Sequence, residues 1–468
     1  MPFIPHTKFE EKEMLDFLNI SSIRELFKEN AQGLLDAKPK SNLDKSLHDS
    51  LSEYDLAKLL QKRASLDSGY LNFIGAGAYE HHIPAAVWEL ASRGEFATSY
   101  TPYQAEASQG NLQLIYEFQT HMSRLTGMDI ANASLYDGAT ATAEAILMAI
   151  RSHKKCKTKN ILIPESLHPN YIETVKTVVS HQNVNLIKVP FDSDTGIINL
   201  SALEQIFKEH KEKDDAILAT VIAQPNFFGS LEDVHNITDL SHKYDALVIS
   251  VVNPTTLALL EAPGHWGNNG ADIACGEGQP LGIPLASGGP YFGFICCKTP
   301  YVRNIPGRIV GRTTDTGGKD AFVLTLQARE QHIRRSKATS NICTNQGLLM
   351  IAATIYLCLL GKQGIKAVAA KSFENTHYLA ENLAKINDID IKFNSDYFHE
   401  ALIEFKNKSS NFVDELLSKL ENSDKKILAG LNIEKYYPNL PNCLLICATE
   451  TKSKDDLDLF INEVKKHI

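Results

Sequence analysis

The middle of the chain alternates between short apolar runs and longer stretches in which apolar residues recur every three or four positions. The first pattern predicts strands and the second predicts helices, such as the one at residues 112–125 that ends at Gly127. Predicted strands are 160–164, 186–191, 216–223 and 246–252, and predicted helices are 140–153, 171–180, 201–210 and 231–244. This order is typical of an α/β domain with a mostly parallel sheet, which binds ligands at the carboxyl ends of its strands.

The two ends of the chain follow other patterns. Residues 1–70 are charged and helical in spacing, with capping patterns that begin at Ser22 and Ser52, and they predict an N-terminal helical arm. From about residue 340, a long apolar helix precedes a strand, strand, helix, strand, helix order, which predicts a small C-terminal α+β domain. The predicted domains are therefore 1–70, 71–335 and 336–468.

Composition indicates an ordinary globular protein. The 468 residues are 43% hydrophobic and carry a formal net charge of −9, which argues against nucleic acid or an anionic membrane as the main partner. The eight cysteines form no C-x-x-C pair, so the sequence predicts no metal site and a reducing, cytoplasmic location. Residues 348–360 are the most apolar stretch; they are too few to span a bilayer and predict a buried helix, with Cys358 buried as well.

One stretch raises a question about cofactor chemistry. Residues 276–294, GEGQPLGIPLASGGPYFGF, lie between two apolar runs, where many pyridoxal-phosphate enzymes carry a lysine beside a glycine-rich turn. Schiff-base catalysis needs that amine, but no lysine lies between Asp272 and Cys297. Asn253 follows the strand 246–252, where such enzymes commonly use an aspartate to hold the protonated ring nitrogen. Both positions therefore depart from the pattern of a cofactor-binding chain.

Polar residues in two further segments are candidates for a ligand site. Tyr100, Tyr103 and Gln104 lie in a loop that Pro102 constrains, and phenol groups there can bind a small charged substrate. The alternative is a buried aromatic turn whose hydroxyls are merely hydrogen-bonded. His168 follows a predicted strand, so it can either stack on a flat heterocycle or cap the next helix.

The segment 132–142 opens a predicted helix with small and hydroxyl-bearing residues. Free N–H groups at a helix N-terminus favour a phosphate or carboxylate, which makes Ser134 and Thr140 candidate cofactor contacts. The alternative is an ordinary N-cap by Asp137 or Thr140, and the acidic Asp137 discourages a phosphate.

Four long motifs occur in order and resemble the glycine dehydrogenase (decarboxylating) family, the P-protein of the glycine cleavage system. They are YTPYQAEASQG at 100–110, NASLYDGATA at 132–141, GEGQPLGIPLASGGPYFG at 276–293, and AREQHIRR at 328–335 followed by KATSNICT at 337–344. The resemblance extends from Phe3 almost to the C-terminus. Within the family, the chain most resembles the α subunit of the two-subunit bacterial form.

The resemblance implies a type I aminotransferase-like fold and a pyridoxal-phosphate reaction. In that family glycine forms an imine with the cofactor and loses CO2, and the aminomethyl group passes to the lipoyl arm of H-protein. The lysine, with pyridoxal phosphate covalently attached, is expected on a β subunit in an α2β2 assembly. On this chain, the position that corresponds to the lysine falls near Gln279 or Pro280. Because neither residue is a lysine, the chain is expected to complete the site of its β partner.

The resemblance also groups the candidate residues. Those expected to reach the shared site are Tyr100, Tyr103, Gln104, Tyr136 and Asp137, and those expected in a vestigial cofactor pocket are Ser134, Thr140, His168 and Asn253. Arg329, Arg334 and Arg335 can bind anions or form salt bridges at an interface. Two alternatives stay open: a self-sufficient pyridoxal-phosphate enzyme with an unusual lysine, and a non-catalytic scaffold.

Overall fold

The computed structural model describes residues 6–27 and 51–468. The described chain forms two compact units, which divide between Gly69 and Tyr70. Residues 1–5 and 28–50 of the predicted arm lie outside the described residues. The predicted boundary at residues 335 and 336 stays a prediction.

The described part of the first unit is helical, as its sequence pattern predicts. Helix α1 (Lys8–Phe17) begins at a capping box in which the Thr7 hydroxyl accepts from the backbone N–H of Glu10. Helix α2 (Glu53–Ala64) begins at Ser52, whose hydroxyl accepts from the N–H of Asp55. The pattern at Ser22 yields a 3₁₀-helix, Ile23–Phe27, in which the Glu25 carboxylate accepts from the N–H of Ser21.

A mixed sheet forms the centre of the second unit. The chain forms the strands β1 (Leu71–Asn72), β2 (Ile130–Ala131), β3 (Asn160–Pro164), β4 (Asn185–Val189), β5 (Ile217–Gln224), β6 (Leu247–Val252), β7 (Ile273–Glu277) and β8 (Gly293–Cys297). Within residues 70–468 the large sheet has seven strands in the order β2-β8-β7-β6-β5-β3-β4. Every pair of neighbouring strands among β3 to β7 is parallel. Strand β8 is antiparallel to both of its neighbours, β7 and β2. The predicted, mostly parallel sheet is confirmed.

Helices cover both faces of this sheet, which is why β3 and β5 are buried along their whole length. They are α3 (Ala85–Ala91), α4 (Gln109–Thr126), α5 (Gly138–Ser152), α6 (Pro169–Val179), α7 (Leu200–Glu212) and α8 (Val234–Lys243). Ile146 of α5 belongs to the apolar core on one face, while Phe118 of α4 and Phe207 of α7 belong to the core on the other. Gly127 ends α4 with a φ of 67°, as predicted.

A hairpin that the periodicity does not predict follows the sheet. Strands β9 (Ile309–Thr314) and β10 (Asp320–Thr325) are antiparallel. Two side-chain amides of α4 hold these strands. Gln109 donates a hydrogen bond to the carbonyl of Phe322 and accepts one from its N–H, and Gln119 does the same with the carbonyl and N–H of Val310. A short helix, α9 (Gln331–Arg334), comes next.

The predicted long apolar helix is the first part of α10 (Gly347–Leu383), which is kinked at the non-helical residue Gly361. In the described part of the chain it is the one helix long and apolar enough to cross a bilayer by length and composition, with a hydropathy of 1.7 and 44% of that stretch buried. The predicted stretch, 348–360, lies before the kink at Gly361, and the length that meets this criterion belongs to α10 as a whole. Its buried residues join two apolar cores, with Tyr356 in one and Leu379 in the other. Cys358 is exposed rather than buried, since it lies on the outer side of the helix.

The C-terminal region contains the predicted small sheet. Its elements are β11 (Ile389–Ile391), β12 (Glu400–Phe405), α11 (Phe412–Glu421), β13 (Ile427–Leu428), β14 (Leu431–Asn432), β15 (Cys443–Cys447) and α12 (Lys454–Lys465). Strands β11, β12, β15 and β14 form an antiparallel sheet in that order, and β13 pairs with β1 in parallel. Residues that follow β1 therefore lie beside this region, and they bring Tyr79 to Glu400.

Candidate active site

A small cavity of ≈ 70 Å³ lies where the parallel strands of the large sheet end. The ends of β5, β6 and β7 contribute to its wall, which is the edge at which this fold class binds ligands. The side chains that matter for its chemistry are His168, Tyr171, Asn253, Glu277, Pro280 and Glu400.

His168 and Asn253 both line the cavity, as expected for a vestigial cofactor pocket. The His168 ring caps α6, because its Nδ1 accepts from the N–H of Asn170 at 3.1 Å, and it stacks on Tyr171 with ring centroids 5.1 Å apart. Burial lowers the pKa of His168. The Asn253 amide contacts His399 Nε2 at 3.1 Å, and burial lowers the pKa of that histidine to about 3. The face of the cavity where a ring nitrogen would be held is thus electrically neutral.

Ser134 and Thr140 are used elsewhere. The Ser134 hydroxyl accepts from the N–H of Gln346 at 3.2 Å, just before α10, and Ser134 does not line the cavity. Thr140 forms a capping box with Asp137 at the start of α5, so the ordinary N-cap is what the structure shows for this pair. Asp137 consequently faces the start of α5.

The expected lysine position is occupied by two residues with different surroundings. Pro280 lines the cavity. The buried amide of Gln279 donates to the carbonyls of Tyr79 and Ile283 at 2.9 and 2.8 Å and accepts from the N–H of Tyr79 at 2.8 Å. Gln279 therefore fastens the segment that leads away from β1, and it offers no nucleophile.

Two carboxyl groups that the sequence analysis missed face this cavity, and Glu277 is partly buried while Glu400 is buried. Glu277 accepts from the N–H of Gly138 at 2.9 Å and from the N–H of Gln279 at 3.1 Å, and burial raises its pKa to about 8. Glu400 accepts from the Tyr79 hydroxyl and from the Ala76 N–H, both at 2.6 Å, and burial raises its pKa to about 7. Glu277 belongs to the quoted glycine-rich motif, whereas Glu400 has no local sequence signal.

Replacing Glu400 by glutamine should flatten the pH dependence of stability. The folded protein keeps the Glu400 proton up to about pH 7, whereas the unfolded chain loses it near 4.5, so stability falls as the pH rises through that window. In the wild type, the free energy of unfolding should fall by up to about 3 kcal/mol over this pH range, and Glu400→Gln should remove that fall. Denaturant unfolding at pH 5 and pH 7.5 measures it, with Glu415→Gln on the exposed face of α11 as the control. Parallel profiles for all three proteins would contradict the assignment.

A second cluster of polar residues lies on the surface and is built from three of the four motifs. The Tyr103 ring lies 4.9 Å from the His332 ring, between centroids, and 5.7 Å from the Arg308 guanidinium. Arg308 is buried beside Glu330, with Nε and Oε2 3.8 Å apart. We call Tyr103, Arg308, Glu330, His332 and Tyr136 the tyrosine cluster.

Arg308 and the loop after α9 connect the two tyrosines of this cluster. Arg308 donates to the carbonyl of Cys343 at 3.1 Å, and the N–H of Cys343 donates to the Tyr136 hydroxyl at 3.0 Å. Tyr103 is 49% exposed, and Tyr100, three residues earlier, is 91% exposed. Gln104 is exposed beside them. The structure thus links Tyr103 to Tyr136 through Arg308 and Cys343, whereas the Asp137 carboxylate caps α5.

The basic motif has mainly structural contacts. Arg329 donates to the backbone carbonyls of Ile305, Gly307 and Leu326, and Arg334 donates to that of Ala328. Arg329 therefore uses three of its N–H groups to hold backbone carbonyls of its own chain. Arg335 has a positive φ of 53° at the end of α9.

The mixed, mostly parallel sheet, its covering helices, the cavity at the carboxyl edge and the small antiparallel sheet define a type I aminotransferase-like fold, that of the pyridoxal-phosphate-dependent transferases. A family model described as Glycine cleavage system P-protein matches residues 1–464. The chain belongs to this family.

Relatives and solved structures agree with the family. A probable glycine dehydrogenase (decarboxylating) subunit 1 from Nitrosospira multiformis is 53% identical over 99% of this chain and 98% of its own length. One from Nitrosomonas europaea is 52% identical over 100% and 99%. A crystal structure of glycine decarboxylase (P-protein) of the glycine cleavage system in inhibitor-bound form superposes with a TM-score of 0.84, at 35% identity over 100% of both chains. Lactobacillus brevis glutamate decarboxylase, at 15% identity, a TM-score of 0.65 and coverage of 93% and 96%, shares the fold.

The cavity of this chain does not fit the cofactor of that fold. It has no amine at the position of the lysine, since Gln279 and Pro280 stand there. Asn253 supplies no negative charge for a ring nitrogen, and the N–H of Gly138 at the start of α5 is already bonded to Glu277. No metal-binding group of His, Cys, Asp and Glu occurs among the residues that the structure describes.

Proposed function

We propose that the chain is the cofactor-free subunit of a two-subunit glycine decarboxylase, whose partner subunit carries pyridoxal phosphate on a lysine. Glycine would lose CO2 in the partner's site, and the aminomethyl group would pass to the lipoyl arm of H-protein. The observation that carries this proposal is the cavity, whose lining by described residues contains no lysine; next to Pro280 of that lining, the Gln279 amide is bonded to backbone groups of Tyr79 and Ile283. The names of the relatives end in "subunit 1", which supports the existence of a second subunit.

The part of this chain that completes the shared site is the tyrosine cluster. When bound on the partner, pyridoxal phosphate supplies an electron sink for the decarboxylation. Tyr103 presents a half-exposed phenol whose hydroxyl bonds no other described residue, so it is available to orient the glycine carboxylate. Arg308 and His332 hold the Tyr103 ring from its sides, while Tyr100 and Gln104 extend from the same loop. Substrate positioning of this kind lowers the barrier by pre-ordering the reactants.

The surface around the cluster supports assembly, proposed as α2β2. Leu326 and Ile333 flank the cluster in the chain and are 42% and 54% exposed, and Tyr100 projects even further. Large apolar and aromatic side chains that are exposed close together are typical of a protein interface. The eight cysteines are all free, which favours the reducing cytoplasm as the location of the enzyme.

The proposal is tested by locating the cofactor. The purified chain and its partner are each incubated with pyridoxal phosphate, alone and together, and the visible spectrum is recorded before reduction with borohydride and weighing of each chain. We expect the colour and the reduction-stable mass gain on the partner alone, and glycine decarboxylation only when both chains are present.

Two results would overturn the assignment. A specific mass gain on this chain would make it a self-sufficient enzyme with an unusual lysine. Full activity of the partner without this chain, or tolerance of every substitution in the tyrosine cluster by the assembled enzyme, would leave this chain a non-catalytic scaffold.

A further inference from the structure

We propose that the Glu277 side chain closes the cavity of this chain to pyridoxal phosphate and to other phosphorylated ligands, because it occupies the N–H of Gly138 at the start of α5. The inference rests on the proposed function, because it explains how one of two related subunits stays free of cofactor. The absence of a lysine explains why no covalent bond to the cofactor forms. The role of Glu277 is a separate one, because it would prevent even non-covalent binding of a phosphorylated ligand.

The first argument is the occupation of the hydrogen-bond donors at the start of α5. A helix N-terminus binds phosphate through its free N–H groups and its dipole. Here the N–H of Gly138 donates to Glu277 Oε2 at 2.9 Å, and the N–H of Thr140 donates to Asp137 Oδ1 at 2.7 Å. The other oxygen of Glu277 accepts from the N–H of Gln279 at 3.1 Å. Side chains of the protein thus already supply the negative groups that a phosphate would bring.

The second argument is space. A Cβ placed on Gly138 would lie 2.2 Å from the Tyr171 hydroxyl and 2.8 Å from the backbone N of Glu277. The approach to the start of α5 is therefore filled by Tyr171 and β7. Tyr171 also covers the His168 ring, on which a heterocycle would otherwise stack. A phosphate group with its attached ring has no room unless Glu277 withdraws.

The third argument is charge. Glu277 and Glu400 both line the cavity, and neither lysine nor arginine occurs in the lining formed by the described residues. A phosphate would meet carboxyl groups with no compensating cation, whereas cofactor phosphates are normally paired with donors or cations. Burial raises the pKa of Glu277 to about 8, so the group also blocks the donors in its protonated form, by occupation rather than repulsion.

The test compares two substitutions at one position. Serine at position 277 vacates the N–H of Gly138 in α5, whereas glutamine keeps an oxygen within reach of that N–H and cannot ionise. Full-length Glu277→Ser, Glu277→Gln and wild type are dialysed against pyridoxal phosphate and, separately, against pyridoxal, which lacks the phosphate. We expect Glu277→Ser to bind pyridoxal phosphate at least about tenfold tighter than wild type, the gain from freed hydrogen bonds to a charged group, with no change for pyridoxal. Glu277→Gln should behave like wild type.

Two outcomes would overturn the inference while leaving the proposed function intact. The first is a folded Glu277→Ser, checked by circular dichroism and melting, that gains no affinity for pyridoxal phosphate. The second is an equal gain in Glu277→Gln, which would show that the donors are not the barrier. The proposed function fails by a different result, namely a specific reduction-stable adduct on the wild-type chain.

A further variant keeps the inference testable if Glu277→Ser does not fold. Pro280→Lys supplies an amine on the cavity wall and leaves Glu277 in place. After borohydride reduction and peptide mapping, we expect no pyridoxyl group at position 280. Modification at that position in the presence of native Glu277 would show that the cavity admits the cofactor, and the inference would be wrong.

Discussion

Replacing Arg308 by methionine should lower the free energy of unfolding by about 3–5 kcal/mol, the range observed when one partner of a buried ion pair is removed. Arg308 is 3% exposed and Glu330 6% exposed, so the substitution leaves a buried carboxylate without its cation. It also removes the hydrogen bonds from Arg308 to Asn345 and to the carbonyl of Cys343. The Tyr103 ring would lose the guanidinium beside it, so activity of the assembled enzyme should fall as well.

Denaturant unfolding of the purified chain measures this loss. Arg312→Met is the matched control, because Arg312 forms an ion pair with Asp320 on the β9–β10 hairpin in which both side chains are more than half exposed. Such exposed pairs contribute little, so the control should unfold like the wild type. Equal losses in the two variants would show that the buried position of Arg308 is not what makes it important.

Tyr103→Phe should reduce turnover of the assembled enzyme by about 100-fold, the order of magnitude that a misplaced substrate costs. It should leave stability unchanged, since the Tyr103 side chain is half exposed and its hydroxyl bonds no other residue in the described part of the chain. The measurement is glycine decarboxylation with partner and H-protein in excess, together with a melting curve.

The control for this substitution is Tyr244→Phe. Tyr244 stacks on Phe207 with ring centroids 4.8 Å apart, outside the tyrosine cluster, so removal of its hydroxyl should not affect turnover. Unchanged turnover in Tyr103→Phe would remove Tyr103 from the shared site, and an equal loss in both variants would point to a general effect on packing.

Much of the fold follows from local patterns in the sequence. Apolar spacing predicts α4 and its end at Gly127, and fully apolar runs predict β3 and β5, because helices on both sides leave no polar face. The β9–β10 hairpin is not predicted, since its strands are partly exposed and are held by Gln109 and Gln119 of a distant helix.

The candidate site was predictable in its motifs but not in its contacts. Tyr103, His168 and Asn253 occur at positions that suggest a ligand, and the structure places them on the tyrosine cluster or the cavity. Glu400 and Arg308 were missed because their partners are far away in sequence: 321 positions separate Tyr79 from Glu400, and 207 separate Thr101 from Arg308. Nothing near either residue indicates that it will be buried with a polar partner.

The hydrogen bond between Glu277 and the N–H of Gly138, the first residue of α5, also has a consequence for folding in the cell. A protein that depends on a bound cofactor gains stability in proportion to the logarithm of the free cofactor concentration, and it loses that gain when supply falls. Glu277 is part of the chain itself, so its contact with α5 does not depend on the concentration of any ligand. On the proposed function, this subunit should therefore reach its full stability on synthesis, whatever the supply of pyridoxal phosphate.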